Sequence, residues 1–210
     1  DRLRTDTVQS LGHIPEQTLL GYWRAVLNEH PKAQEPERFE MTEARLRDTI
    51  QWRKSLGLDE RMADAGWRQA ELDHRRLLRC DFIGNDLAGR PVLVEWCGAW
   101  DIPAVVEAAE ASPKTFETLH CMSFELMKSL SRPPGCRDPY GHLVVMDLRG
   151  LSTLQLVRYS RALARAFIRL ARVDGAHYPD SLAHVFIVNA GITFSTIMDK
   201  LVRPFLPGET

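Results

Sequence analysis

The sequence has no long hydrophobic run. Its longest uninterrupted apolar runs, such as residues 185–188, are far shorter than the roughly 20 residues that a membrane-spanning helix requires. The chain also begins at Asp1 without the charged and then apolar leader of a secretory signal. We therefore expect no segment to span a bilayer, and we expect a fragment of a longer protein whose targeting signals, where it has any, lie elsewhere.

Cysteine is scarce, and this scarcity excludes two classes of small domain. The four cysteines, Cys80, Cys97, Cys121 and Cys136, are too few and too far apart for a disulfide framework. No C-x-x-C pair suggests a zinc site. Reduced thiols in a cytoplasmic protein are the expected state.

An excess of charge of either sign is absent too. The formal net charge of −1 at pH 7 removes the long-range attraction on which a general nucleic-acid binder depends, so we expect no nucleic-acid partner. With 44% hydrophobic and 26% charged residues, the 210-residue chain has an ordinary globular composition and enough length for one sizeable core.

The motifs of familiar enzymes are missing. No G-x-G-x-x-G or G-x-x-x-x-G-K-[ST] loop follows a strand, no G-x-S-x-G elbow occurs, and the seven histidines form no i, i+4 metal pair. Asp147, at the end of an apolar run, is the best isolated candidate for an acid or a metal ligand, but a turn-forming role is the favoured interpretation. We expect no catalytic residue, no metal and no cofactor; an α/β enzyme that uses Asp147 is kept as an alternative.

The chain does contain two regions with different patterns of apolar residues. Residues 1–80 have helical periodicity, which predicts helices near 19–29 and 42–55 with Thr42 as the second N-cap, and we interpret them as a helical lead-in. Residues 81–210 alternate short apolar runs with helical segments, which indicates an α/β sheet. The predicted strands are 92–96, 143–146 and 185–188, and the predicted helices are 103–111, 114–131 and 153–173.

The last of these helices is amphipathic in an unusual way. At about 100° per residue, five arginines fall in one stripe opposite an apolar face. The stripe consists of Arg158, Arg161, Arg165, Arg169 and Arg172. No carboxylate lies between Ser152 and Val173, so we predict contact with a membrane or an acidic partner. The alternative is that the stripe is simply a solvated helix face.

Several separated segments occur in an order that is typical of one protein family. They are Arg38-Phe39, Trp52-Arg53-Lys54, Gly89-Arg90-Pro91-Val92, Met146-Asp147-Leu148-Arg149-Gly150, Tyr178-Pro179-Asp180, Val188-Asn189-Ala190-Gly191 and Arg203-Pro204-Phe205-Leu206. Each is weak alone, but together they cover residues 38–210. The chain resembles the CRAL-TRIO family of lipid-binding domains.

This resemblance implies an α/β fold in which a mixed, largely parallel sheet forms the floor of a hydrophobic lipid pocket. It also implies that a mobile gate helix follows the last strand, although an ordinary core helix fits the same sequence. The residues so implied for the gate are Gly191, Ile197, Met198, Leu201 and Phe205. The domain of residues 81–210 is expected to be truncated at its C-terminus.

The resemblance further implies a set of lipid-binding residues. They are Arg38, Val144, Tyr178, Asp180, Phe194 and Thr210. The family's Arg-Lys pair for phosphatidylinositol is Glu37-Arg38 here, which exchanges an attraction for phosphate for a repulsion. The Ser and Thr that accept phosphatidylcholine are replaced by His142 and Val144. The bound lipid is thus expected to be a phospholipid such as phosphatidylinositol, or another small hydrophobic ligand.

The function implied is non-catalytic binding of one lipid in an apolar cavity and its transfer between membranes. We expect a cytoplasmic monomer that associates peripherally and transiently with membrane surfaces. The alternative is a lipid-sensing regulatory module of a larger protein. Strands covered by helices on both faces have the same apolar sequences, so a sheet without a cavity is the alternative interpretation.

Overall fold

The fold is taken from a computed structural model, which describes residues 16–130 and 141–191. Four helices come first: α1 (Glu16–Glu29), α2 (Glu35–Leu56), α3 (Leu58–Ala63) and α4 (Ala65–Leu77). They are followed by β1 (Cys80–Asn85), β2 (Pro91–Glu95), the 3₁₀ turn Cys97–Ala99, α5 (Ile102–Ala111), α6 (Pro113–Ser129), β3 (His142–Asp147), α7 (Thr153–His177) and β4 (Leu182–Val188). No helix in the described ranges is long and apolar enough to cross a membrane.

Helix α2 begins earlier than the sequence predicted. The expected N-cap, Thr42, lies inside the helix, and its Oγ1 donates to the Arg38 carbonyl oxygen at 2.7 Å. The helix starts after Gln34 instead, where the Gln34 amide donates to the Glu37 side chain at 3.0 Å and a proline occupies the first turn. It ends at Gly57, whose left-handed φ of 57° terminates the helix.

The four strands form one sheet in the order β1-β2-β3-β4. Strands β1 and β2 are antiparallel, whereas β2–β3 and β3–β4 are parallel. The predicted mixed, largely parallel sheet is therefore confirmed. The three predicted strands are present, and β1 is an additional edge strand with an irregularity at Gly84.

Both parallel connections cross between neighbouring strands, and right-handed crossovers place α5, α6 and α7 over the same face of the sheet. The ring of His142 on β3 meets Phe124 of α6 edge-on, with centroids 5.3 Å apart, which identifies that face. Because side chains alternate along a strand and paired residues share a face, the rest follows from the register. We call this side the inner face; it carries Leu93, Glu95, His142, Val144, Met146, Val185 and Ile187.

Three clusters of buried side chains in the described ranges lie between helices, and other buried side chains, including the strand residue Val94, lie outside these clusters. One joins α5, the start of α6 and α7 around Val105, Phe116 and Leu163. A second packs Tyr178 against the lead-in and α6, and the third is formed by α1 and α2. None of the three clusters contains a strand side chain from the described ranges.

The helical lead-in is bonded to the end of α7. The Tyr22 hydroxyl donates to the His177 carbonyl oxygen at 2.7 Å and lies 2.9 Å from Thr49 Oγ1. Burial raises the pKa of Tyr22 to about 12. Trp52 of α2 stacks on the His177 ring with centroids 3.9 Å apart. Helix α4 ends at Leu77 and β1 begins at Cys80, and the division into regions 1–80 and 81–210 remains a prediction.

One buried histidine in this helical core gives the fold a pH dependence. His74 of α4 is 5% exposed, its ring meets Phe116 edge-on at 4.7 Å, and its Nε2 has no hydrogen-bond partner among the described residues. Burial, with a smaller contribution from His120, lowers the pKa of His74 to about 3. His74 therefore binds a proton near pH 6.5 in the unfolded chain, but only at a much lower pH in the folded chain.

We expect His74→Phe to remove part of this pH dependence. As pH falls below about 6.5, protonation of the unfolded chain lowers the free energy of unfolding, by about 2 kcal/mol between about pH 7.5 and pH 5. Phenylalanine suits the apolar site and does not titrate. Urea unfolding of both proteins at the two pH values measures the difference. A pH dependence that is unchanged in the variant would contradict the assignment, and His184→Phe, on an exposed residue, is the control.

Candidate functional site

Apolar side chains of the two central strands remain accessible although helices lie over them. Strands β2 and β3 have neighbours on both sides, so solvent reaches their side chains only over a face of the sheet. Leu93, Val144 and Met146 of the inner face are nevertheless only half-buried. On β4, the inner-face residue Val185 is 44% exposed. We call the accessible space over these side chains the inner hollow.

A group of three ionisable side chains lies on the helix side of this sheet. Burial raises the pKa of Glu95, which pairs with Met146 in the register, and His120 of α6 partly offsets this rise. His120 Nε2 lies 2.9 Å from Asp174 Oδ1 of α7. Burial alone would lower the pKa of His120, but the carboxylate of Asp174 raises it overall. The inner face thus combines apolar side chains with a buried polar group.

The sequence did not identify Glu95, His120 or Asp174 as site residues. Glu95 is the only carboxylate in the otherwise apolar strand Pro91–Glu95, and that isolation was the available signal. A carboxylate on a covered face of a strand is costly without a partner, so it marks a place where a charge is needed or tolerated. His120 and Asp174 carry no comparable signal, because single polar residues are common in amphipathic helices.

The predicted lipid-binding residues do not all meet at the hollow. Val144 lies on the inner face, in register with Leu93 and Val185. Tyr178 is 3% exposed and packs in the second buried cluster, where Lys128 Nζ lies 4.5 Å from the centre of its ring. Their role in lipid binding remains a prediction.

The other two described members of this set contact the helical lead-in. Asp180, in a left-handed conformation with φ 57°, accepts from Arg24 of α1 at 3.3 Å. Arg38 donates from Nη2 to the Pro31 carbonyl oxygen at 2.7 Å, and its buried Nε has no partner in the part of the chain that the structure describes. Phe194 and Thr210 lie outside the described residues.

The predicted gate falls almost wholly outside the described residues. Ile197, Met198, Leu201 and Phe205 all lie there, and Gly191 is exposed at the border. Before it, Asn189 adopts a left-handed φ of 56° and donates from Nδ2 to Asp147 Oδ1 at 2.7 Å.

The side chain of Asp147 accepts the hydrogen bonds that are typical of a turn-forming residue. Its Oδ1 accepts from the Arg149 amide at 2.9 Å as well as from Asn189. The Arg149 amide and then Asn189 lower the pKa of Asp147, so the carboxylate stays ionised and joins the ends of β3 and β4. No group of three metal-ligating side chains occurs within residues 16–130 and 141–191.

The arginine stripe divides into two parts in the structure. Arg165 pairs with Glu110 of α5, and Arg169 pairs with Glu117 of α6 at 3.2 Å. These carboxylates come from neighbouring helices, which the sequence of α7 alone does not reveal. The other three, Arg158, Arg161 and Arg172, are exposed, and none forms an ion pair with a described residue. Contact of the stripe with a membrane or partner remains a prediction.

Comparison with known proteins yields relatives of which several are named phosphatidylinositol/phosphatidylcholine transfer proteins. The phosphatidylinositol/phosphatidylcholine transfer protein SFH4 of Arabidopsis thaliana is 28% identical over 180 residues, which are 82% of this chain and 28% of that protein. The SEC14 cytosolic factor of Yarrowia lipolytica is 26% identical over 195 residues, 90% of this chain and 36% of that protein. The chain thus spans about a third of the length of these relatives.

Among solved structures, the crystal structure of Sfh5 matches with a TM-score of 0.61 at 12% identity, over 97% of this chain and 65% of that one, which shows a shared fold. Residues 80–210 match the model of the CRAL/TRIO domain family. The resemblance found in the sequence is thereby confirmed: this chain belongs to the CRAL/TRIO domain family.

Proposed function

We propose that this chain binds one lipid with its acyl chains against the inner face of the sheet. The observation that carries the proposal is the partial accessibility of Leu93, Val144 and Met146, apolar residues of central strands on the face that the helices overlie. A conventional α/β core would fill that space with side chains, because protein interiors are close-packed. An apolar surface left accessible inside a fold suits an apolar ligand.

Transfer between membranes is the activity that this arrangement supports best. A lipid with two acyl chains exposes a large apolar area, and at about 25 cal/mol per Å² its passage through water is prohibitive without a shielding cavity. The relatives named phosphatidylinositol/phosphatidylcholine transfer proteins support a phospholipid cargo. Binding and release break no covalent bond, so the proposal needs no catalytic residue and no cofactor.

The headgroup preference is expected to differ from that of those relatives. Glu37 next to Arg38 places a negative charge where the family has a cation, and Val144 offers no hydroxyl. Glu95 and the His120–Asp174 pair are polar groups that the inner hollow does offer. We therefore expect a lipid whose headgroup carries hydrogen-bond donors or a positive charge to be preferred over a purely anionic one.

We propose a cytoplasmic monomer that meets membranes transiently and has no nucleic-acid partner. The chain spans only about a third of its relatives, so a role as the lipid-sensing module of a larger protein is the second candidate. A transfer protein moves lipid between vesicles, whereas a sensing module binds lipid without net transfer.

Native mass spectrometry of the purified protein is expected to show one bound lipid per chain, removable by organic extraction and identifiable afterwards. Movement of fluorescent phosphatidylinositol or phosphatidylcholine from donor to acceptor vesicles then measures transfer. A protein without lipid that also fails to take up any from vesicles contradicts the proposal. Bound lipid without transfer favours the sensing module.

A further inference from the structure

Two aliphatic side chains protrude from the first turns of α7. Leu154 is 79% exposed and Val157 is 63% exposed. The helix start that carries them is well defined, because the Ser152 hydroxyl accepts from the Gln155 amide at 3.3 Å as an N-cap. Single exposed apolar residues are common on protein surfaces, but two adjacent ones on an ordered helix need a reason.

Two arginines of the stripe lie on the same side of the helix as these residues. At about 100° per residue, Leu154, Val157, Arg158 and Arg161 fall within about 100° of the helix circumference. Both arginines are exposed and form no ion pair with a described residue, unlike Arg165 and Arg169 further along the helix. We call these four residues the α7 patch.

The α7 patch lies near the end of the sheet at which β3 and β4 terminate. The predicted gate segment begins at the same end. The loop between β3 and α7 passes against the 3₁₀ turn, and the Asp147–Asn189 hydrogen bond of 2.7 Å joins the ends of β3 and β4. The chain continues from there through Gly191. A partner bound to the patch is therefore close to the end of the inner-face strands.

We infer that the α7 patch docks the protein on an anionic phospholipid membrane. Aliphatic side chains flanked by guanidinium groups suit this partner, because the apolar groups enter the acyl boundary while the cations contact lipid phosphates and carboxylates. The absence of any carboxylate between Ser152 and Val173 leaves this charge uncompensated along the helix. The inference rests on the proposed function, for which it supplies the membrane contact.

The test is flotation of the purified protein with phosphatidylcholine vesicles, with and without phosphatidylserine. We expect binding only to the phosphatidylserine vesicles, and weaker binding at high salt because the charges are exposed. Leu154→Gln with Val157→Gln, and separately Arg158→Gln with Arg161→Gln, should each weaken the apparent affinity roughly tenfold.

Matched controls lie elsewhere on the surface. Leu87→Gln changes a fully exposed leucine in the β1–β2 turn, and Arg68→Gln changes an exposed arginine of α4. Both should bind vesicles as the unmodified protein does. Absence of vesicle binding, equal loss in the controls, or full binding by both double variants overturns the inference.

Lipid occupancy distinguishes this inference from the proposed function. Native mass spectrometry of the double variants should show the same bound lipid as the unmodified protein, because the patch lies outside the inner face. Loss of vesicle binding with occupancy retained supports docking by the patch. An unmodified protein that binds vesicles through the patch but never holds a lipid refutes the proposed function alone.

Discussion

Val185→Glu is expected to empty the protein of lipid while leaving it folded. Val185 lies on the inner face in register with Val144, and it is 44% exposed, so a longer side chain can be accommodated without packing strain. A carboxylate there must lose water whenever an acyl chain covers it, which costs several kcal/mol. Lipid occupancy measured by native mass spectrometry should therefore fall by roughly tenfold or more.

The next residue along β4 supplies the control. Phe186 is 50% exposed and points to the opposite face of the sheet. Phe186→Glu adds the same charge at nearly the same place and exposure, yet it should leave lipid occupancy unchanged. Circular dichroism of both variants confirms folding. If the two substitutions reduce occupancy equally, or if neither does, the ligand does not lie against the inner face.

The strands of the parallel part of the sheet were largely predictable from the sequence. The runs 92–96, 143–146 and 185–188 predict β2, β3 and β4 to within three residues, because strands of a parallel sheet are apolar on both sides. Strand β1 escaped prediction as a separate strand. Its sequence, Cys80–Asn85, mixes apolar and polar residues without strict alternation, and a register shift between Phe82 and Gly84 interrupts the pairing, so no periodic pattern marks it.

The start of α2 was mispredicted for a local reason. The predicted start at Thr42 leaves both prolines of residues 31–36 outside the helix, but proline is tolerated in the first turn of a helix, where its missing amide has no partner to lose. Pro36 therefore belongs to α2, and the Glu37 side chain closes the turn on Gln34. Thr42 is a buried position inside the helix.

Contacts that join distant parts of the chain were not predictable from the sequence. Glu95, His120 and Asp174 come from β2, α6 and α7, and only the fold brings them together. The same holds for Glu110 and Glu117, which pair with two arginines of α7 that have no carboxylate partner within the helix itself. Periodicity shows which face of one element is apolar, but it does not show what lies opposite.

Gly98→Ala is expected to disrupt the packing of the β3–α7 loop against the 3₁₀ turn, at the end of the sheet where the predicted gate begins. A Cβ at this position would lie 1.7 Å from the Arg149 carbonyl oxygen and 2.5 Å from its carbonyl carbon. Both are backbone atoms of the β3–α7 loop, so no side-chain rotation relieves the overlap, and the loop or the 3₁₀ turn must move. We expect a loss of about 3 kcal/mol or more in the free energy of unfolding, at the upper end of overpacking effects. Urea unfolding measures it.

Gly175→Ala is the matched control for this substitution. Gly175 lies within α7, and an added Cβ there would meet nothing within 4 Å. Alanine should therefore stabilise the protein by roughly 0.5–1 kcal/mol, because glycine is the poorer helix former. The opposite signs expected for one chemical change separate close backbone approach from a general effect of the added methyl group. A Gly98→Ala protein as stable as the unmodified one would mean that the β3–α7 loop does not pack against the 3₁₀ turn, and it would remove the rigid base on which the α7 patch depends.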